Sequence, residues 1–240
     1  MRTNLKNVIL AGVGLVAVAA LVLGIYVFRA GTSVIRGAPG PAPDVQTIQA
    51  RAATGNAAAQ NALGDLYAKG EGFQQNLGEA LKWYRSAAEQ GFAEAQYNLG
   101  VLYESGLSVT RDEAEAAKWH RKAAEQGHTG AAYNLAALYA TGRGVLRDAA
   151  EAAKWYRQAA EQGDSLAQYN LARRYEVGKG VSVDKPEAYK WHKLAARQGI
   201  ADAAQALEDL KKQMTREEIT EGQRRVATFI VRKPDSTSSK

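Results

Sequence analysis

The chain has 240 residues, 46% of them hydrophobic and 23% charged, and its high alanine content favours close-packed helices over sheets. It contains no cysteine, which excludes a disulfide framework, thiolate zinc sites and a cysteine nucleophile. The net charge of +6 belongs to the two ends, because residues 37–221 hold 22 basic and 24 acidic side chains, so we expect contacts with lipid head groups and no binding of nucleic acid.

The first predicted element is a helix over residues 8–28, a run of 21 residues without a charge. Such a helix is about 31 Å long, close to the hydrocarbon thickness of a bilayer. A cleaved signal peptide is the alternative, but the run exceeds the roughly 7–15 apolar residues of such signals. Its best cleavage pattern, at 17–19, also lies in the middle of the run. We therefore predict that residues 1–30 form a short tail and an uncleaved transmembrane helix.

The orientation of this helix is nearly balanced by charge. Arg2 and Lys6 precede it, while Arg29 and Arg36 follow it. A six-residue tail kept in the cytoplasm is the simplest topology, so we expect a single-pass protein of the cell (inner) membrane whose folded part is periplasmic. Residues 31–43 are rich in Gly and Pro and are predicted to be a semi-extended linker.

A repeat of 36 residues dominates the rest of the chain. Several residue types recur at this spacing, including Gly55, Gly91, Gly127, Gly163 and Gly199, and likewise Trp83, Trp119, Trp155 and Trp191. The same period holds for Tyr67, Tyr103, Tyr139 and Tyr175, and for Leu63, Leu99, Leu135, Leu171 and Leu207. So many coincident columns indicate a repeat architecture.

Each repeat is predicted to be a pair of helices. In the second repeat, Ala95, Leu99, Leu102 and Tyr103 form one apolar stripe, and Gly106 can end that helix in a left-handed conformation. A second helix is expected to begin at Asp112 with Glu115 completing a capping box. Equivalent pairs are Asn76/Glu79, Asp148/Glu151 and Asp184/Glu187.

A single helix pair cannot bury these apolar faces, whereas a stack of pairs can. Residues 44–54 are predicted to supply a half-repeat at the front, and residues 200–213 a first helix at the back. A last helix after Thr215 is expected to cap the stack with Ile219, Val226, Phe229 and Ile230 on one side. The folded domain therefore covers residues 44–231, and residues 232–240 are predicted to be a disordered tail.

The segment AAEQGFAEAQYNLGVLY, followed by DEAEAAKWHRKAAEQG, resembles the Sel1-like repeat, a relative of the tetratricopeptide repeat. The resemblance covers about residues 52–214. It implies an all-α, right-handed α-solenoid of helix-turn-helix repeats with a concave groove, and adaptor or scaffold roles at bacterial membranes or in the periplasm. One departure is Ser108, which stands where the other repeats have a second loop glycine.

The sequence offers no arrangement typical of catalysis, metal binding or cofactor binding. His120 and His192 occupy a column that holds Tyr84 and Tyr156 in other repeats, so we interpret both as packing residues. The recurring carboxylates are explained as helix caps and surface charges. We predict that the chain is not an enzyme and that it uses no cofactor or metal.

The implied groove supplies the candidate binding residues. Aligning the Leu-Gly-x-x-Tyr core with tetratricopeptide repeats places three columns of the first helices on the concave side. The columns are Tyr97/Tyr133/Tyr169, Glu94/Gly130/Leu166 and Val101/Ala137/Arg173. The tyrosines would either contact a ligand or stack between repeats. An adjacent ladder of Asn98, Asn134 and Asn170 would either hold a peptide or bond between repeats.

Arg174 breaks the apolar pattern, because Leu66, Leu102 and Leu138 occupy its column. Its side chain would either reach along the surface to solvent or contact an acidic ligand. The predicted protein-binding set is therefore Glu94, Tyr97, Asn98, Val101, Tyr133, Asn134, Leu166, Tyr169, Asn170, Arg173 and Arg174.

These features predict a membrane-anchored adaptor that binds a protein or peptide through its groove and the lipid bilayer through residues 8–28. Two alternatives come from other classes. An envelope hydrolase or glycan-binding accessory would need an acid pair or a nucleophile in a cleft, and a self-associating structural protein would form homo-oligomers.

Overall fold

The computed structural model describes residues 44–232, so the predicted transmembrane helix, the linker and almost all of the predicted tail lie outside the described residues. Within residues 44–232 there are eleven α-helices and no strand. They are α1 Val45–Ala53, α2 Ala57–Lys69, α3 Leu77–Glu89, α4 Ala93–Ser105, α5 Glu113–Glu125, α6 Thr129–Thr141, α7 Ala149–Glu161, α8 Ser165–Val177, α9 Lys185–Arg197, α10 Ala201–Lys211 and α11 Arg216–Ala227. None of these helices is long and apolar enough to cross a bilayer.

The helix bounds repeat with the period of the sequence. First helices begin at Ala57, Ala93, Thr129 and Ser165, and second helices begin at Leu77, Glu113, Ala149 and Lys185, each 36 residues after the last. The predicted pairing of two helices per repeat is confirmed, and the chain is an all-α helical repeat solenoid.

The first compact unit ends at Asp112 and contains α1 to α4, each packed on the next. Leu63 and Leu66 of α2 are buried against α1, and the ring of Phe73 stacks on Tyr67 with centroids 4.4 Å apart. A second cluster joins Ala80 and Tyr84 of α3 to Leu102 of α4. Residues 44–54 therefore cover the front of the first repeat, as predicted.

The second compact unit begins at Glu113 and contains α5 to α11. Each helix packs on its successor from α5 to α10, and α11 returns to pack on α9. Its core consists of leucines, alanines and aromatic side chains, among which Leu135, Leu171 and Trp191 are fully buried. Alanines such as Ala152 and Ala188 have no exposed surface, so small side chains bring neighbouring helices close together.

The helix ends confirm three of the four predicted caps of the second helices and correct one detail. The side chains of Asn76, Asp148 and Asp184 each accept a hydrogen bond from the amide three residues later. Their own backbone amides instead donate to the carbonyls of Tyr67, Tyr139 and Tyr175. Because those amides are already satisfied, the glutamates do not reach back but pair with lysines, as Glu79 does with Lys82 at 2.6 Å. In the described residues a reciprocal capping box occurs at Thr215 and Glu218.

The inter-helix loop of the second repeat is strained at Ser108. Its φ angle is 61°, in the left-handed region, and it is the one non-glycine residue of the described part with a positive φ. The equivalent residues Gly72, Gly144 and Gly180 also have positive φ. A Cβ at Gly144 would lie 2.1 Å from the carbonyl oxygen of Glu113, so this loop passes directly against a helix start.

The C-terminal cap forms as predicted except at its last apolar residue. Val226 is buried, and the ring of Phe229 packs edge-on against Trp191 with centroids 5.3 Å apart. Ile230, however, is 82% exposed. The helix ends at Ala227, so Ile230 does not follow the helical spacing that would have placed it beside Val226. Beyond the helix, the backbone amide of Arg232 donates to the carbonyl of Glu161 at 2.9 Å.

Candidate functional site

The first unit brings four residues of the predicted protein-binding set to one small pocket. Glu94, Tyr97, Asn98 and Val101 all lie on α4, and the spacings of three or four residues from Glu94 to Tyr97 and Asn98, and from these to Val101, place them on one helix face. The pocket has a volume of about 70 Å³ and is lined by α2, α3 and α4. Glu94 is exposed and Tyr97 half-buried, while Asn98 and Val101 are buried.

A chain of hydrogen bonds runs through the wall of this pocket. Asn98 Nδ2 donates to Asn61 Oδ1 at 3.1 Å, and Asn61 Nδ2 donates to Asp65 Oδ2 at 3.4 Å. The hydroxyl of Tyr84 donates to Asp65 Oδ1 at 2.7 Å. Asn98 thus bonds to the preceding repeat, in agreement with bonding between repeats, and both oxygens of the Asp65 carboxylate are held in fixed positions.

The electrostatics of the pocket are set by a half-buried carboxylate. Burial raises the pKa of Asp65, and the hydrogen bond from Tyr84 and the charge of Lys69 lower it in part. The charges of Glu94 and Glu71 raise it further. The cost of removing the Asp65 carboxylate from water therefore exceeds the stabilisation from its contacts, so its charged form is disfavoured.

The predicted set did not include Asn61, Asp65, Lys69 and Tyr84, because its three columns started at the second repeat. The signal for two of them was present in the 36-residue register. Asp65 falls in the column of Val101, Ala137 and Arg173, and Asn61 falls in the column of the three tyrosines. Extending the columns one repeat towards the N-terminus would have included both.

In the second unit the tyrosine column packs against the second helices. The ring of Tyr133 lies edge-on to Tyr156 with centroids 5.7 Å apart, and Tyr169 lies at the same distance from the ring of His192. Both tyrosines are half-buried. Both ring contacts lie within a single repeat, so they are not the stacking between repeats that was one of the two alternatives for these tyrosines.

Asn170, in the asparagine column of the second unit, does not make the hydrogen bond between repeats that Asn98 makes in the first unit. Asn170 Nδ2 donates to the carbonyl of Leu166 at 2.9 Å, one turn back on its own helix. Asn134 and Leu166 are half-buried. Asn170 is thus held within α8, whereas Asn98 bonds across two repeats.

Arg173 is the predicted residue most available to a partner in this unit. Its side chain is 56% exposed and its Nε lies 3.4 Å from Glu176 Oε2. Glu176 Oε1 is 3.1 Å from Nε2 of the fully buried His192. Arg173, Glu176, His192 and Tyr169 therefore form one polar cluster at the surface of α8 and α9.

The structure buries Arg174, another of the predicted binding residues. Its side chain is only 6% exposed and does not extend to solvent. Its Nη1 donates to the carbonyls of Ala149 and Lys179, each at 3.2 Å, and its guanidinium lies 5.1 Å from the ring centroid of Tyr156. Burial lowers the pKa of Arg174. An arginine can replace leucine here because a carbonyl at the start of α7, a loop carbonyl and an aromatic face satisfy its polar head.

Both histidines considered as packing residues are completely buried, as that interpretation requires. Within residues 44–232, no three His, Asp or Glu side chains are grouped closely enough to hold a metal ion.

A larger pocket of about 380 Å³ lies beside the C-terminal cap, lined by Glu161, Lys190, Arg225, Thr228, Phe229, Ile230 and Arg232. Its cations are each paired with an acid. Arg225 lies 2.8 Å from Asp184, Arg232 lies 2.8 Å from Glu161, and Lys190 lies 2.8 Å from Glu187. The pairs made by Arg225 and Arg232 join the C-terminal cap to the last repeats, whereas Lys190 and Glu187 both lie on α9.

The fold defines an all-α helical repeat protein. The Sel1 repeat family matches four consecutive stretches of the chain, residues 57–92, 93–128, 129–164 and 165–200. Because the matched stretches cover more than half of the chain, the protein belongs to the Sel1 repeat family. Sel1 repeat proteins generally mediate protein–protein interactions, and their solenoid is typically a non-catalytic scaffold.

Two solved structures are similar to this one. A protective antigen present in uropathogenic Escherichia coli strains, described as displaying an SLR fold, is 35% identical with a TM-score of 0.70, and the match covers 78% of this chain and 41% of that protein. The chain thus spans about two fifths of the antigen. A Sel1 repeat protein from Oxalobacter formigenes is 37% identical with a TM-score of 0.66, over 77% of this chain and 78% of that one. A comparison with curated protein sequences gave no match.

Proposed function

We propose that the chain is a membrane-anchored adaptor that binds a protein or peptide through the faces of its first helices. The observation that carries this proposal is the pocket of the first unit, where Glu94, Tyr97, Asn98 and Val101 meet a polar network. In the second unit, Arg173 and Tyr169 offer a charged and an aromatic contact on the equivalent helix. Residues of these types are common at the centres of protein interfaces.

The membrane tether is the second part of the proposal. It is supported by the uncharged run at residues 8–28 and by the Gly/Pro-rich segment at residues 31–43. A short tether raises the effective concentration of the repeat domain for partners at the same membrane. We place the domain on the periplasmic side of the inner membrane.

Site-specific photo-crosslinking tests the binding surface. A photoreactive phenylalanine analogue is placed at Glu94 or Arg173 in the full chain, and for comparison at Lys82 or Lys154, whose side chains are 72% and 64% exposed. We expect a discrete crosslinked protein from positions 94 and 173 in the native host. Equal crosslinking at all four positions, or none at 94 and 173, would contradict the proposed surface. A product that contains a second copy of the chain would favour self-association.

Membrane attachment and orientation are tested on the full chain. It should stay with the membrane after an alkaline carbonate wash, while a variant without residues 8–28 should be released. Fusions after Lys240 report the side: active alkaline phosphatase with a dark green fluorescent protein is expected for a periplasmic domain. Release of the full chain by the wash would refute the anchor, and a fluorescent, phosphatase-inactive pair would place the domain in the cytoplasm.

A further inference from the structure

We propose that the pocket of the first unit binds the side chain of an arginine from the partner polypeptide. This inference rests on the proposed function and specifies the chemistry that the partner presents. It is argued from the charge, geometry and size of the pocket lined by Asp65, Lys69, Tyr84, Glu94 and Tyr97.

The charge of the pocket favours a cation. Two of its lining residues, Asp65 and Glu94, are acidic, and one, Lys69, is basic. Glu71 adds a further negative charge that acts on Asp65. The two side chains that hydrogen-bond the Asp65 carboxylate, Asn61 and Tyr84, are both uncharged. Lys69 compensates the charge of Asp65 only in part, and a positive ligand group would add to that compensation.

The geometry favours a guanidinium over an ammonium group. Tyr84 occupies one acceptor position on Asp65 Oδ1, and Asn61 occupies one on Oδ2. A carboxylate has about four acceptor positions, so one remains on each oxygen. A guanidinium can donate two parallel hydrogen bonds to such a pair of oxygens, whereas an ammonium acts as a point charge.

The size of the pocket favours a side chain of a larger partner over a free small molecule. A volume of about 70 Å³ is well below the roughly 300–1,000 Å³ of pockets that enclose drug-sized ligands. It suits the planar head of one side chain. The rest of the partner would then lie along the exposed face that carries Glu94.

Asp65 also lies in a column that does not require an acid. The same position holds Val101 and Ala137 in later repeats, and Val101 is buried. An apolar side chain can therefore pack at this position of a first helix. A partly desolvated carboxylate is unfavourable for the isolated fold, and an incoming cation would offset that cost.

Nuclear magnetic resonance of the full chain in detergent, labelled with ¹⁵N-asparagine, tests the inference. The side-chain amide signals of Asn61 and Asn98 report on the pocket, and N-acetyl-arginine methylamide is the probe. We expect saturable shifts of both signals with this probe, weaker shifts with the lysine analogue, and none with the citrulline analogue, which has the same shape without the charge. The arginine effect should disappear as the pH falls and Asp65 becomes protonated.

Two variants give the test its specificity. Asp65→Asn keeps an acceptor for Tyr84 and should abolish the shifts while its thermal melt shows that it is folded. Glu89→Gln removes a charge from an exposed position of α3 outside the pocket and should leave the arginine response unchanged. Equal shifts with arginine and citrulline, or an unchanged response in Asp65→Asn, would overturn the inference, as would no response at all.

The outcomes separate the two proposals. If position 94 crosslinks a protein but arginine does not shift the asparagine signals, the surface is correct and the arginine pocket is wrong. If arginine binds and no protein crosslinks at positions 94 and 173, the pocket is correct and the adaptor function is wrong.

Discussion

At the scale of single residues, one column of the first helices carries the largest chemical differences between repeats. It holds Asp65, Val101, Ala137 and Arg173, so the same scaffold position is acidic, apolar, small and basic in turn. Asp65 is held by Tyr84 and Asn61, while Arg173 contacts Glu176 at the surface. The backbone is therefore the same in each repeat, whereas the residue type at this position differs and sets the local surface chemistry.

Replacing Asp65 by Asn should increase stability near neutral pH. The carboxyl has a folded pKa raised above the ordinary value of 3.8, chiefly by burial. Its protonated form is therefore favoured by folding, and this stability is present below the unfolded pKa and lost as the pH rises through the folded pKa. Asparagine stays neutral throughout and can still accept from Tyr84.

Thermal melts of the two proteins at several pH values check this prediction. The melting temperature of Asp65→Asn should exceed that of the parent chain at pH 7, and the difference should shrink towards pH 3.8. A variant that is less stable than the parent chain at pH 7 would show that the charged carboxylate stabilises the fold.

Ser108→Gly should also stabilise the chain. A left-handed conformation costs a residue with a Cβ about 1–2 kcal/mol, whereas the added freedom of glycine in the unfolded chain costs about 0.5–1 kcal/mol. We expect a net increase of roughly 0.5–1 kcal/mol in the free energy of unfolding, measured by urea denaturation. Gly144→Ala is the matched reverse change and should destabilise by more than about 1 kcal/mol, because its Cβ would meet the Glu113 backbone. A destabilised Ser108→Gly protein would mean that the serine side chain is required.

At the scale of helices, the caps and apolar stripes were predictable because they depend on local spacing. Gly70, Gly106, Gly142 and Gly178 all adopt the left-handed conformation expected of a helix end. The role of Glu79 was not predictable, because the amide that it would have bonded is already taken by the carbonyl of Tyr67. This backbone hydrogen bond joins two consecutive helices, and the 36-residue spacing of residue types does not reveal it.

Because α11 packs closely on α9, we predict that Gly222→Ala destabilises the chain, although alanine has a higher helix propensity than glycine. Gly222 is buried, and a Cβ there would lie 2.7 Å from the ring of Tyr189. Alanine in a free helix would stabilise by about 1 kcal/mol, but the clash should reverse this to a loss of about 1–3 kcal/mol.

Urea denaturation of Gly222→Ala, with Gln223→Ala as a control, measures this effect. Gln223 is exposed on the same helix, so its replacement should be neutral or slightly stabilising. If Gly222→Ala were as stable as the control, the cap would not depend on this close approach.

At the scale of the whole molecule, the sequence predicted the repeat class and the order of its helices, because the same residue pattern recurs in every repeat. It was less informative about surfaces. Arg174 was predicted at the binding surface, yet the carbonyls that hold it inside belong to Ala149 and Lys179, one of them far away along the chain. The pocket of the first unit required Asn61, Asp65 and Tyr84 from two different helices, and pairing of that kind follows from packing.

The most direct test of the account measures the affinity of the partner captured by crosslinking for the full chain and for two matched variants. Arg173→Ala and Lys154→Ala each remove an exposed cation that pairs with a glutamate three residues away, Glu176 and Glu151 respectively. We predict that Arg173→Ala weakens binding about tenfold, or roughly 1.4 kcal/mol, while Lys154→Ala changes it less than about twofold. Equal losses, or a loss only in Lys154→Ala, would contradict the claim that the chain binds its partner through the faces of its first helices.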